Sequence, residues 1–460
     1  MTESTQFPIL PNPANERTSI LRKLIAWLVI LASAGTMFGL TWRSYRQASS
    51  VSVKDADVRQ MQILIASRYA VGAHHLIGIL GQKNDNIQKL TDELDGVAKE
   101  PQEKVQTAIA AGEIQDSAAA LKRLNAIDAS ASPDLKQDTD ALQLIYNSKA
   151  GELSPDQRSR LIKRYGWFGH LALAYKQPPD NADRQVVDPA AYRTVAVGAG
   201  GVLAFGLLFL AGLVLLIVAI VLFSQGSIRR AYQPQAAPSQ PFLETFAIYI
   251  GGFVVIGLLA RFVLPAIRTH ISLYYAAMLV PPALGLIWPL LCGVPRHAWK
   301  QAVGWHTGRG VFREIGLGFV GYIAGLPLMT LAFFLVMKLS RFAGANPTHP
   351  IIHELGGSSS QVLSILVLAA VYAPIVEETM FRGALFHSLR VRHGWLLSAS
   401  IVAFLFAAIH PQGWTVIPGL FTIAMIFAAI REWRGTILSS AAAHAFNNGT
   451  VVLFVVLLMR

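Results

Sequence analysis

The sequence predicts an all-α protein: a polytopic membrane helical bundle of about eight core transmembrane helices, with an N-terminal anchor helix and a small soluble helical domain. Three observations predict it. Of 460 residues, 53% are hydrophobic and only 14% are charged, and several apolar runs reach about 18 residues or more, the length that crosses a bilayer. Acidic residues are unevenly spread: 19 of the 27 lie between Arg43 and Arg193, together with 20 of the 39 Lys and Arg. The remaining basic residues gather in short loops between apolar runs, which is the pattern of membrane orientation.

The elements follow in order. A first span, 24–42, comes after Arg22 and Lys23. Its Ala32-Ser33-Ala34 resembles a small-residue cleavage site, but apolarity continues to Trp42, so 1–42 reads as a cytoplasmic N-terminus with an uncleaved anchor. Residues 43–193 form a soluble, extracytoplasmic helical domain. Within it "DNIQKLTDELDGVAKE" and "SPDQRSRLIKRYGWFGHLALAY" are amphipathic, the second opening with Ser154 as N-cap and Pro155 at the first helical position. No catalytic constellation stands out there, and sensor, gate and spacer roles stay open. Residues 194–460 form the membrane domain, with spans at 194–223, 243–264, 271–292, 314–338, 361–389, 395–410, 415–431 and 436–459 and a Pro/Gln/Ser-rich connector at 224–241.

Counting short loops, an N-inside orientation places 13 Lys/Arg on the cytoplasmic side and 5 on the other, although Arg43 and Arg46 run against it. The 293–316 segment then lies at the cytoplasmic interface, with Trp299 and Trp305 at headgroup depth. A bacterial-type plasma (inner) membrane is the expected location. The net charge of +12 is thereby read as topology, not as a nucleic-acid surface. The single cysteine, Cys292, excludes an intrachain disulfide and a Cys-rich metal site.

Function concentrates in the last third, at 361–460. "VEETMFRGALFH" places Glu377, Glu378 and Arg382 in an apolar run, where an ionisable group is costly and usually marks a site. Glu378 and Arg382, four apart, share a helix face, and Glu377 lies about 100° round it, so one carboxylate is paired and the other free. Counted from Gly394 in the turn, Glu377 lies 17 residues back and His410 lies 16 forward, which brings them level in an antiparallel hairpin. The last span carries His444 and Asn448 on one face, and its small residues Ser439 to Ala443 allow a close neighbour. One mismatch stands: His444 lies roughly 14 Å beyond Gly435, but Glu377 lies roughly 25 Å from its own turn. Either 383–393 bends toward the interface or the last span starts deeper. His74, His75, His297 and His306 read as solvated or interfacial, and His387 as lying on the basic side of its helix.

Glu377-Glu378-x-x-x-Arg382, Phe406-x-x-x-His410 and His444-x-x-x-Asn448, in this order on consecutive apolar spans, resemble the three motifs of the CPBP family (CAAX protease and bacteriocin-processing, also called Abi), which includes the type II CAAX prenyl endopeptidases. The resemblance covers roughly 245–460. It implies an intramembrane endopeptidase acting on a membrane-associated peptide or protein, in which Glu377 activates water, His410 orients it, Glu378 pairs with Arg382, and His444 and Asn448 donate to the oxyanion. No cofactor is expected on the reading adopted. The alternative is a divalent metal such as zinc on Glu377, His410 and His444, with Glu378 near, although the His-Glu-x-x-His zinc signature is absent. Two other classes share part of this pattern. A proton-coupled transporter also buries Glu, His and Arg, but inverted repeats and matched broken helices are not evident. A non-catalytic scaffold or immunity protein would tolerate loss of Glu377.

Overall fold

The computed structural model describes residues 13–47, 53–79, 85–128, 132–262, 276–344 and 359–459. It is helical throughout these residues, with no strand among them. Two compact units are present: one built on Ser50–Gly206 with Val451–Arg460, the other on Met1–Ser49, Leu207–Pro350 and Ser359–Thr450.

The first unit contains short helices around an apolar core that includes Val105, Ile109, Leu142, Leu161 and Phe168. Pro155–Tyr165 starts as its sequence dictates. Ser154 Oγ accepts from the Gln157 amide at 3.2 Å, and the Gln157 side chain accepts from the Ser154 amide at 2.9 Å, a reciprocal cap. The helix does not continue to Tyr175, however. Gly166 adopts φ 55°, where a side chain would be strained, and a second helix, Trp167–Leu173, begins there. Three carboxylates inside the unit are held by arginines: Glu103 by Arg59, Asp138 by Arg160 and Arg164, and Glu113 by Arg184 at 2.6 Å, with His75 Nε2 bonded to Glu113 at 2.8 Å. His75 is therefore bonded, not simply solvated.

The second unit contains most of the apolar helices. Among the described residues, seven helices are long and apolar enough to cross a membrane: Ser19–Arg43, Ala182–Ser224, Ser239–Phe262, Val311–Phe342, Ser359–Arg390, Trp414–Arg434 and Ile437–Met459. Together they make the chain an integral membrane protein. The nine expected spans are thus seven long helices and two shorter ones, Ala276–Leu291 and Trp395–Ala408. The first contains Pro281, Pro282 and Pro289, and the second stops ahead of Pro411. At 1.5 Å per residue the second is roughly 21 Å long, short of a hydrocarbon core of about 30 Å. Residues 263–264 and 271–275 of the expected spans, and the His353-Glu354 pair, lie outside the described residues.

Residues 296–310 fold against the base of the last helix: Thr436 Oγ1 donates to the carbonyls of Gly304 and His306, the Ile437 amide donates to Gly304, and His306 Nε2 to Gly435. Thr436, Ser439 and Ser440 are fully buried. This segment thus covers the first turn of the last helix. His387 also departs from expectation. It is fully buried, its Nε2 donating to Ala237 O at 3.0 Å and its Nδ1 accepting from Tyr232 at 2.7 Å.

The small residues of the last span admit a neighbour as expected. A Cβ on Gly318 of the Val311–Phe342 helix would overlap the Ser439 carbonyl. Gly318→Val is expected to cost about 1–3 kcal/mol by overpacking, read as a lower unfolding midpoint in detergent. In the first unit, burial by itself drives the Glu113 carboxyl up, but hydrogen bonds from His75 and Arg184 outweigh it and hold it below the ordinary carboxylate range. Unfolding there takes up a proton, so this stabilisation is present above the unfolded carboxylate pKa and is lost as pH falls through the depressed one. Glu113→Gln is expected to flatten the acid limb of a thermal-unfolding series on the full chain; an unchanged limb would contradict the assignment.

Candidate active site

The helix that carries the two glutamates is not a regular α-helix. π-helical turns at Leu368–Tyr372 and Thr379–Leu385 bracket a short α-segment, Ala373–Glu378. A π-turn widens the coil locally and shifts which side chains share a face, and such turns are frequent at functional sites.

Glu378 and Arg382 are both fully buried and form an ion pair, Arg382 Nη1 donating to Glu378 Oε1 at 2.9 Å. Arg382 Nη2 donates to the Ala424 carbonyl at 3.1 Å, and its guanidinium lies 4.8 Å from the Phe406 ring and 5.3 Å from the Phe427 ring. The charge thus receives a carboxylate, a carbonyl and two aromatic faces in place of water. Phe406 and Phe427, from two different helices, are how the fold tolerates an arginine here.

His444 stands between the two carboxylates. Its Nδ1 is 3.1 Å from Glu378 Oε1 and its Nε2 is 3.8 Å from Glu377 Oε2, with the ring stacked on Phe427 at 4.9 Å. A carboxylate only accepts, so Nδ1 carries a proton and Nε2 faces Glu377. Glu377 itself keeps a quarter of its side chain exposed and lines a cavity of about 890 Å³ together with His410, Tyr249, Tyr372, Phe381 and Ile409. His410 Nδ1 faces the Phe406 carbonyl one turn back and donates to it. The lining is mostly apolar.

Of the six residues singled out from sequence, Glu377 and His410 therefore share the cavity, and Glu378, Arg382 and His444 form the buried support behind it. Asn448 is elsewhere engaged. Its Nδ2 donates to the Ala369 carbonyl at 3.0 Å, in the first π-turn, and its Oδ1 accepts from Asn447 at 3.0 Å. Sequence reasoning missed Tyr372, Phe427 and the Trp305 Nε1 to Thr379 Oγ1 bond at 3.0 Å. Tyr372 lies five residues before Glu377, a spacing that a 3.6-residue period does not align; Phe427 carried no polar signal at all.

Among the described residues no three His, Cys, Asp or Glu side chains are grouped to hold one ion, and Glu378 is already engaged by Arg382. No step below runs through a metal.

Fold and site together define an integral membrane protein with an intramembrane carboxylate–histidine centre. Residues 359–450, which contain all six residues, match the family described as type II CAAX prenyl endopeptidase Rce1-like, a CAAX-type intramembrane endopeptidase family. A curated relative is an uncharacterized 24.3 kDa protein of Escherichia coli, 29% identical over 141 residues that cover 29% of this chain and 62% of the relative. The chain thus spans about three fifths of that relative's length. No solved structure matches the chain.

Removing one partner of a buried pair strands the other charge. Arg382→Met is expected to lower stability by about 3–5 kcal/mol, measured as a large drop in the unfolding midpoint in detergent. A midpoint unchanged from wild type would show that Glu378 does not depend on Arg382.

Proposed function

We propose that the protein is an intramembrane endopeptidase that hydrolyses a peptide bond of a membrane-associated substrate with a glutamate-activated water. The observation that carries this reading is the division between two adjacent carboxylates: Glu378 is fully buried and held by Arg382 and His444, and Glu377 faces a cavity large enough for a peptide segment. A held carboxylate and a free one, one residue apart, separate structural from chemical duty. The apolar lining suits a substrate that reaches the site from the bilayer, and we assign the chain to a bacterial-type inner membrane with a cytoplasmic N-terminus.

The reaction follows from these positions. A water in the cavity gives one proton to the Glu377 carboxylate as its oxygen bonds to the scissile carbonyl carbon, and the carbonyl electron pair moves onto its oxygen. His410 accepts a hydrogen bond from the water's other proton at Nε2 and so orients it. When the tetrahedral intermediate collapses, the carbon–nitrogen bond breaks and Glu377 returns its proton to the leaving nitrogen, releasing an amine and a carboxylic acid. His444, oriented by Glu378 through Nδ1, donates from Nε2 to the developing oxyanion, a step that requires a proton on both ring nitrogens. Asn448 holds the first π-turn through Ala369.

The test uses the full chain in liposomes with quenched fluorescent, membrane-anchored peptides. Glu377→Gln is expected to reduce cleavage by about 10²–10⁴-fold, the usual contribution of a general base, with an unchanged unfolding midpoint. A strong chelator is expected to leave wild-type cleavage unaltered. Cleavage that persists in Glu377→Gln would sink the proposed base, and activity lost to chelation and restored by zinc would overturn the metal-free mechanism.

A further inference from the structure

We propose that Tyr372 is a catalytic residue whose hydroxyl donates a hydrogen bond to the substrate's oxyanion. The inference rests on the endopeptidase reading above. Its starting point is the number of donors an oxyanion takes. A tetrahedral oxyanion is stabilised by donors aimed at it from a water-poor site. His444 supplies one, and the Asn448 amide has one of its two N–H groups on the Ala369 carbonyl.

The cavity supplies another. Tyr372 lines it alongside Glu377 and His410, and the Tyr372 hydroxyl is buried with no hydrogen-bond partner among the described residues. Buried hydroxyls are nearly always paired, because an unpaired one has given up its water for nothing, and an exception calls for a ligand or a catalytic role. A substrate carbonyl is the acceptor this hydroxyl lacks.

The backbone accounts for its position. Tyr372 is the last residue of the first π-turn, and Glu377 lies in the α-segment that follows. Leu368, Tyr372, Ala373, Val376 and Glu377 all line the same cavity: 372 with 376 and 373 with 377 are i, i+4 neighbours of one helical stripe, which puts the phenol and the carboxylate along the same wall. Asn448 holds that turn by its bond to the Ala369 carbonyl. Tyr249, the other phenol of the lining, comes from the Ser239–Phe262 helix and packs edge-on against Phe253 at 4.9 Å and Phe381 at 6.3 Å. It is the natural comparison.

The experiment measures kcat and KM for a membrane-anchored peptide in liposomes, and binding of a peptide phosphinate, a tetrahedral anion mimic, against the matching uncleaved amide. Tyr372→Phe is expected to lower kcat by about 10²–10³-fold, the loss seen on removing one oxyanion donor, with KM nearly unchanged. Phosphinate affinity is expected to fall in parallel and amide affinity to hold. A Tyr372→Phe kcat within about threefold of wild type, in a preparation whose cleavage still requires Glu377, would overturn this inference and leave the endopeptidase reading standing. An equal loss in Tyr249→Phe would mark a general change of the lining and also overturn it. If Glu377→Gln cleaves as wild type does, both readings fall together.

Discussion

Everything at the centre of this membrane unit depends on one buried charge being made tolerable. Arg382 is fully buried, and it is kept there by Glu378, by the Ala424 carbonyl and by the rings of Phe406 and Phe427. Those partners come from three separate helices. The arginine can be satisfied only if the Ser359–Arg390, Trp395–Ala408 and Trp414–Arg434 helices meet in one arrangement, so the ion pair specifies the packing as much as it is sheltered by it. His444 extends the same constraint to a fourth helix through Glu378.

A second buried arginine works one layer away by other means. Arg431 is fully buried yet has no carboxylate in its immediate bonds; it donates to the carbonyls of Arg382, Ala302 and Gly435, and its guanidinium lies 4.8 Å from the Tyr232 ring. By bonding to Ala302 and Gly435 it ties the 296–310 segment to the start of the last helix. The two arginines are therefore linked: one assembles the carboxylate support, and the other, bonded to the Arg382 carbonyl, ties the 296–310 segment to the base of the helix that carries His444.

The π-turns complete the arrangement. In a regular helix each backbone carbonyl has an amide four residues on; a π-turn interrupts that ladder and frees local geometry at some cost in stability. Here the first π-turn is compensated by the Asn448 amide on Ala369, and the second is flanked by the Trp305–Thr379 bond. Between the two turns, the α-segment carries Glu377 on the cavity wall that Tyr372 also lines.

Particular residues show what the sequence determined alone. The all-α membrane class followed from long apolar runs, and the Glu378–Arg382 pairing followed from a four-residue spacing, because helical periodicity is a local property that needs no partner to be read. The Ser154 cap and the close approach at Ser439 were legible for the same reason. What only the tertiary structure decided depends on contacts distant in the chain. The burial of His387 against Tyr232 and Ala237, the cover of the last helix's first turn by 296–310, and the engagement of Asn448 with Ala369 each arise where one segment meets another far away in sequence. Tyr372 was hidden for the same physical reason: what marks it is a buried hydroxyl with no partner among the described residues, and burial is decided by packing between distant segments.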